Sequence, residues 1–361
     1  MIKRGKLVIE DGILVLSRGQ VAACLADRYE ELLMTVRSAY EAHAAGAASV
    51  PFSLFLTDPS RPGDRIVGMP ASLRTGEEVA GMKWISSFPG NVSSGKDRAS
   101  SVIAVNSLTD GRVTALMEGS EVNFARTGAS AALAARTLHT ENRLSTLGVI
   151  GCGPINLAIV RHILAAYEHD CRILLFDAVE ERADAFAARV RAVAPAARTE
   201  KARSADAVLG AAPLVSIATN TRQPHITSLA ECPPGATVLH MSVRDIAPEE
   251  LARHDNVVDD PDHVCRVNTS LHLLEQSLGH RDFVRCTLGD VLLGRSAPRR
   301  DPEGVLVYSQ FGLAMLDVAV AAQVQERARK NGIGTPIPDF HHAGVTAGQA
   351  PDRLFGDQEP A

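Results

Sequence analysis

The run VIGCGPINLAIV, residues 149–160, joins an apolar stretch to a helix-like stretch through two glycines, Gly151 and Gly153. Such a turn suits a phosphate for physical reasons. Gly151 lets the chain bend sharply, and Gly153 has no Cβ to hold a pyrophosphate away from the backbone. Pro154, Ile155 and Asn156 then open a helix whose free N–H groups and positive dipole end face the charge. The position of a third glycine is taken by Asn156, so the glycines alone are a modest signal. The context adds to it: Asp177 closes the next apolar run, 26 positions after Gly151. An acid there bonds ribose hydroxyls and repels a 2′-phosphate, so NAD is expected rather than NADP. The bland alternatives are a glycine turn without a ligand and a solvated acid at a strand end.

The surrounding elements fit this turn. From 144 to about 260 the runs STLGVI, RILLFD, AAPLVSIAT, ATVLHMS and NVVDD alternate with helical stretches such as PINLAIVRHILAAYEH and EERADAFAARVRAVA. Continuous apolar strands between helices predict a parallel sheet covered on both faces. Earlier, KLVIEDGILVLS predicts two short strands about an Asp-Gly turn. The next stretch, 17–46, predicts one amphipathic helix, opened by Ser17 and Gln20 as a capping box and stopped at Gly46. Residues 50–117 break into short strands and turns, among them SLFL, DRIVGMP, VAGMKWISS and ASSVIAVN. An Ala-rich helix, 121–139, bridges the two halves. A second long helix, 313 to about 330, ends at KNGIG, and 341–361 reads as a loose polar tail.

Composition excludes several classes. The 361 residues carry a formal charge of −5 and are 45% hydrophobic. There is no basic signature for nucleic acid or an anionic membrane. No apolar run approaches the ~20 residues of a membrane span, and the N-terminus MIKRGKLVIEDG lacks a signal-peptide core. The six cysteines form no C-x-x-C pair, which argues against a zinc or disulfide framework and for a reducing cytoplasm. The pair His341-His342 has no partner at ligand spacing and is read as tail, so no metal is expected.

The stretches AGMKWISS, MEGSEVNFARTGASAALAARTL, VIGCGPINLA and FGLAMLDVAVAAQVQERARKNGIG together resemble the ornithine cyclodeaminase/μ-crystallin family, over roughly residues 10–338. The resemblance implies an α/β protein. A Rossmann NAD-binding domain, 126–313, is inserted in an α+β substrate-binding and dimerisation domain, 1–125 plus 314–340. Within the family, DRIVGMP, GMKWISS, DRASSVIAVN, VVDD and LGDVLLG are most similar to one branch. Its members are NAD-dependent dehydrogenases of N-(2-amino-2-carboxyethyl)-L-glutamate, which supply 2,3-diaminopropionate for siderophores and peptide antibiotics.

The resemblance also implies roles. Lys83 matches a strand lysine that contacts the substrate carboxylate; a lysine in an apolar strand is costly unless paired. Arg126 matches an arginine that grips the same carboxylate, for which a guanidinium fork is suited. Asp245 follows a parallel strand, where ends face the ligand crevice, and matches the family's catalytic acid/base; a helix N-cap is its alternative. Arg98 stands where cyclodeaminases carry a small hydroxyl residue, and an added cation suits a substrate with added carboxylates. Thr219, Asn220, His240, Met241, Ser242, Gln310 and Phe311 are implied around the cofactor.

Two departures weaken the cyclodeaminase reading. The glutamate before Met-Pro is missing in IVGMP, and an earlier arginine is replaced at Ser53, with Arg65 as a possible substitute. The expected activity is therefore NAD-dependent oxidation and hydrolysis of the secondary amine to 2-oxoglutarate and L-2,3-diaminopropionate. Ornithine cyclodeaminase, alanine dehydrogenase, imine reductase and a non-enzymatic NAD-dependent binder are the alternatives. The expected partner is a second copy of the chain.

Overall fold

A computed structural model describes residues 12–61, 63–75, 77–141, 143–167 and 171–341. Two eight-stranded sheets organise it. The first contains β1 (Ile13–Leu16), β2 (Ala48–Ser49), β3 (Leu54–Thr57), β4 (Arg65–Thr75), β5 (Glu77–Ser87), β6 (Ala99–Ser107) and β7 (Val113–Glu118). Strands β4 to β7 form an antiparallel meander, as expected of strands joined by the tight turns that Gly and Asp residues supply. Val67, Leu73, Ile103, Val105, Ala115 and Met117 face inward and are buried. The helix Tyr29–Ala44 packs on this face through Leu32, Val36 and Tyr40.

The second sheet is wholly parallel. It holds β8 (Thr146–Ile150), β9 (Arg172–Phe176), β10 (Arg198–Lys201), β11 (Leu214–Ile217), β12 (Thr237–His240), β13 (Asp255–Val258), β14 (Val284–Thr287) and β15 (Leu306–Ser309). Their order is β10-β9-β8-β11-β12-β15-β13-β14. The five strands β8, β11, β12, β13 and β15 are buried along their whole length, which is why they read as unbroken apolar runs. The order reverses between β8 and β11, and the glycine turn sits at that switch point, where open α/β sheets bind ligands.

The chain crosses between the sheets in two helices, Ser120–Leu138 and Ala314–Asn331, then adds β16 (Thr335–Ile337) antiparallel to β1. The helix Ser120–Leu138 is built largely of Ala, Gly and Ser on its buried side, so other elements approach it closely. The expected domain boundary at 125–126 falls inside this helix. No helix among the described residues is long and apolar enough to cross a membrane.

Several local expectations are corrected. The single helix expected over 17–46 is two, Arg18–Leu25 and Tyr29–Ala44, separated at Asp27 with φ 54°. Asp is among the few non-glycine residues that visit the left-handed region at small cost. The cap itself forms: Gln20 Oε1 accepts from Ser17 N–H at 2.9 Å. Strands β10 and β14 and the short helices between 261 and 292 were not anticipated. The first strand expected before Gly12 lies outside the described residues, as does most of the tail. His341 is described, and its Nε2 lies 2.7 Å from the Val113 carbonyl; His342 lies outside the described residues.

Candidate active site

The glycine turn is built around strain and close contact. Gly151 has φ 89°, and a Cβ there would stand 2.5 Å from the Ala218 carbonyl oxygen. Only glycine fits. A Cβ on Gly153 would meet nothing within 4 Å, so the backbone is approachable from that side. Pro154 opens the helix Pro154–Tyr167. Asp177 accepts from Cys152 N–H at 2.8 Å and Val179 N–H at 2.9 Å, which holds its carboxylate beside the turn. Asn156 points the other way. It is fully buried, donates to the carbonyls of Ile150 (2.9 Å) and Gly151 (2.7 Å), and accepts from Ser216 (2.7 Å). Its side-chain amide staples the turn from inside, which leaves its backbone as the part that could face a cofactor.

Beside the turn lies a cleft of about 140 Å³. It is lined by Asn123, Arg126 and Thr127 of one helix, by Ile155 and Met241, and by the segment Gln310–Gly312. Gln310 is 3% exposed, and neither its Nε2 nor its Oε1 has a hydrogen-bond partner. A buried amide with both ends unpaired is costly unless a ligand satisfies it. With the open backbone at Gly153 and the acid at Asp177, this chain's residues fit a dinucleotide whose nicotinamide end reaches the cleft.

The segment is aimed by a residue not anticipated, Asp259. Its carboxylate accepts from Phe311 N–H at 3.0 Å and Gly312 N–H at 2.7 Å. Burial pushes this carboxyl up to about 6 against those two hydrogen bonds. Gly312 has φ 91°, and a Cβ there would lie 2.7 Å from Arg126 Nη1. The doubled acid after the apolar strand NVVDD was the available signal.

Lys83 and Arg126 converge as a buried ion cluster. Lys83 Nζ lies 2.6 Å from Asp317 Oδ2 and 3.2 Å from Asn123 Oδ1. Arg126 Nε lies 3.1 Å from Asp317 Oδ1, and its Nη2 donates to Asn123 Oδ1 at 2.7 Å. One carboxylate thus serves two cations. Burial, reinforced by the charge of Arg126 and opposed by Asp317, pushes the Lys83 ammonium down to about 8. Of the two cations, Arg126 lines the cleft, whereas Lys83, 1% exposed, stands behind it. Asp317 and Asn123 were missed; an acid within the Ala- and Val-rich LAMLDVAVAA was the trace of the first.

Asp245 is fully buried and does not line the cleft. Its two oxygens accept short hydrogen bonds from Thr219 Oγ1 and Ser242 Oγ. His240 Nε2 lies 3.3 Å from Oδ2 and 3.1 Å from the Asp245 N–H. Burial alone would raise this carboxyl, but the bonds and charge of His240 and the bonds of Ser242 and Thr219 outweigh it and hold it down to about 2. His240 is itself buried, with Nδ1 on Ser309 Oγ at 3.3 Å. The loop is strained: Val243 has φ 56°, an outlier for a β-branched residue. Arg98 and Arg65 sit on the first sheet near this loop, and Arg98 Nη1 donates to Asn220 Oδ1.

Known proteins agree with this architecture. The N-((2S)-2-amino-2-carboxyethyl)-L-glutamate dehydrogenase of Staphylococcus aureus is 25% identical over 331 residues, 90% of this chain and 98% of that one. The alanine dehydrogenase of Archaeoglobus fulgidus is 28% identical over 343 residues, 91% of this chain and 98% of the relative. The structure of the Thermococcus litoralis Delta(1)-pyrroline-2-carboxylate reductase, in complex with NADH and L-proline, shares the fold. Its TM-score is 0.83 at 21% identity, covering 90% of this chain and all of that one. The sequence profile of the ornithine cyclodeaminase/mu-crystallin family matches residues 18–332, and the chain belongs to that family.

Proposed function

We propose that this protein is an NAD-dependent oxidoreductase acting on a CH–NH bond. Its substrate is N-(2-amino-2-carboxyethyl)-L-glutamate, and its products are 2-oxoglutarate and L-2,3-diaminopropionate. The observation that carries the reading is the shared cleft, whose lining includes Arg126, Ile155 of the glycine turn and Gln310 with its unpaired amide. A carboxylate gripped by Arg126 brings its Cα to the nicotinamide end of the cofactor site. Arg98 and Arg65 supply cations for further carboxylates, which favours this substrate over a monocarboxylic amino acid. The similarity to the Staphylococcus aureus enzyme supports the same choice.

Bound NAD would accept the hydride. The substrate loses its Cα hydrogen as hydride, the nitrogen lone pair forms the imine, and water adds to the imine carbon. The C–N bond then breaks, leaving oxo acid and primary amine with release of one proton. Lys83 holds Asp317, and Asp317 fixes the angle of Arg126. Asp245 is an anion at neutral pH and polarises the hydroxyls of Thr219 and Ser242, through which it accepts and returns the proton. The test is to mix protein, NAD and the amine and follow NADH absorbance. Net accumulation is expected; proline and ammonia formed from ornithine with no net NADH would assign cyclodeamination instead. Asp245→Asn should keep NAD affinity and lose about 100-fold or more in turnover, the usual range for proton handling. An unchanged rate would remove Asp245 from the reaction.

A second copy of the chain is the partner we propose. Leu54, Gly68, Trp84 and Val102 are successive cross-strand neighbours, and Leu54, Trp84 and Val102 leave an exposed apolar stripe with Met82. Faces of this kind are buried in assemblies. The archaeal alanine dehydrogenase that shares the fold is described as a dimer. Trp84→Asp should sediment as monomer where wild type sediments as dimer; a monomeric wild type would refute the assignment.

A further inference from the structure

We propose that Arg222 and Arg244 form, with Arg65 and Arg98, a four-guanidinium site where the ends of the two sheets meet, which binds the distal carboxylates of a polycarboxylic amine and so sets the substrate class. The inference rests on the reading above and adds two residues to it.

The placement comes from the topology. Arg65 opens β4 and Arg98 immediately precedes β6. Ser87 is the cross-strand partner of both Arg65 and Ala99, so the two arginines share one end of the first sheet. Arg222 and Arg244 follow β11 and β12, which are neighbours in the parallel sheet, at the carboxyl ends where such sheets take ligands. Contacts close the gap between the sheets. Arg98 Nη1 donates to Asn220 Oδ1, and Arg222 Nη2 lies 3.0 Å from where a Cβ on Gly63 would stand. Arg244 Nη2 donates to the Val267 carbonyl at 2.8 Å.

What distinguishes the group is its charge balance. Among the described residues no acid forms an ion pair with any of the four, and the buried Nε of Arg98 has no hydrogen-bond partner. Burial pushes the Arg98 guanidinium down, and the charges of Arg65 and Arg222 push it further. Arg65 and Arg244 are lowered too, by burial first and then by Arg222 and Arg65 respectively, with the charge of Asp245 opposing the shift at Arg244. Like charges held together without an ion-paired acid are a standing electrostatic cost that an anion relieves. Guanidinium forks match carboxylates in geometry as well as sign. The Asp245 carboxylate, whose charge reaches Arg244, already accepts from Thr219 and Ser242.

The test uses tricarballylate as a probe, titrated calorimetrically into the NAD-loaded full chain. Wild type should bind it, and the Arg222→Gln/Arg244→Gln double variant should bind it about 10- to 100-fold more weakly, as the loss of charge-assisted pairs implies. NAD affinity should change less than twofold. Equal tricarballylate binding by both proteins, or wild-type binding no tighter than that of acetate, would overturn the proposal. So would a parallel loss of NAD affinity, which would give the cluster to the cofactor's phosphates. Failure of wild type to form NADH from the amine would sink the proposed reaction while this titration still decides the site.

Discussion

Two groups of cations sit under opposite conditions. Lys83 and Arg126 are buried and share Asp317 and Asn123. Arg65, Arg98, Arg222 and Arg244 lie at the ends of the two sheets, where no acid forms an ion pair with them among the described residues. Burial explains the difference. A buried charge without a partner costs several kcal/mol, so the inner pair exists only because Asp317 accompanies it. In the outer group, water screens part of the repulsion, and cations can be left without ion-paired acids for an incoming anion. In the function proposed above, the inner group frames one carboxylate and the outer group receives others.

The sharpest way to break this contrast is Asp317→Asn. It leaves two buried cations with no counter-charge and should cost about 3–5 kcal/mol of stability, read from denaturant unfolding. An unfolding midpoint equal to wild type would mean that the ion cluster holds nothing together. Arg98→Gln should do the reverse: the unfolding free energy stays within about 0.5 kcal/mol, while kcat/KM for the tricarboxylic amine drops roughly tenfold or more. If Arg98→Gln instead unfolds the protein, the outer group is part of the framework too.

A third test uses pH. The Lys83 ammonium is pushed from 10.5 down to about 8. Between those values the unfolded chain holds a proton that the folded chain has lost, so stability contributed by this site rises with pH across the window. Below about pH 8 the cost of burying the charge is full. Wild type measured against Lys83→Met should therefore gain stability from pH 8 to 10, and a flat difference would show the lysine unperturbed. The smallest effect calibrates the rest. Arg37 and Glu41 pair at 2.8 Å, one helical turn apart and both half-buried, and Arg37→Ala should cost only about 0.3–0.5 kcal/mol by thermal melting.

What the sequence revealed follows how locally each feature is encoded. The glycine turn was legible because Gly151, Gly153 and Asp177 lie on one strand–turn–helix–strand unit with fixed spacing. The parallel sheet was legible because buried strands are apolar throughout. β10 was not, because it is an edge strand of sequence RTEK, whose residues are largely exposed. The break at Asp27 was hidden because no Gly or Pro marks it. Lys83 and Arg126 came from family resemblance, but their shared anchor did not. Asp317 is 234 positions from Lys83, and no periodicity links an acid on one helix to a strand so distant. Arg222 and Arg244 sit in loops after different strands, and only the fold makes them neighbours.

The helices Ser120–Leu138 and Ala314–Asn331 are the two crossings between the sheets, and the contact of Arg126 with Asp317 fastens one to the other. That contact acts as a bolt through both hinges. Swinging one half of the molecule against the other would have to part a buried charge pair. New substrates in such a scaffold are then reached by exchanging side chains around the mouth, while the hinges stay as they are.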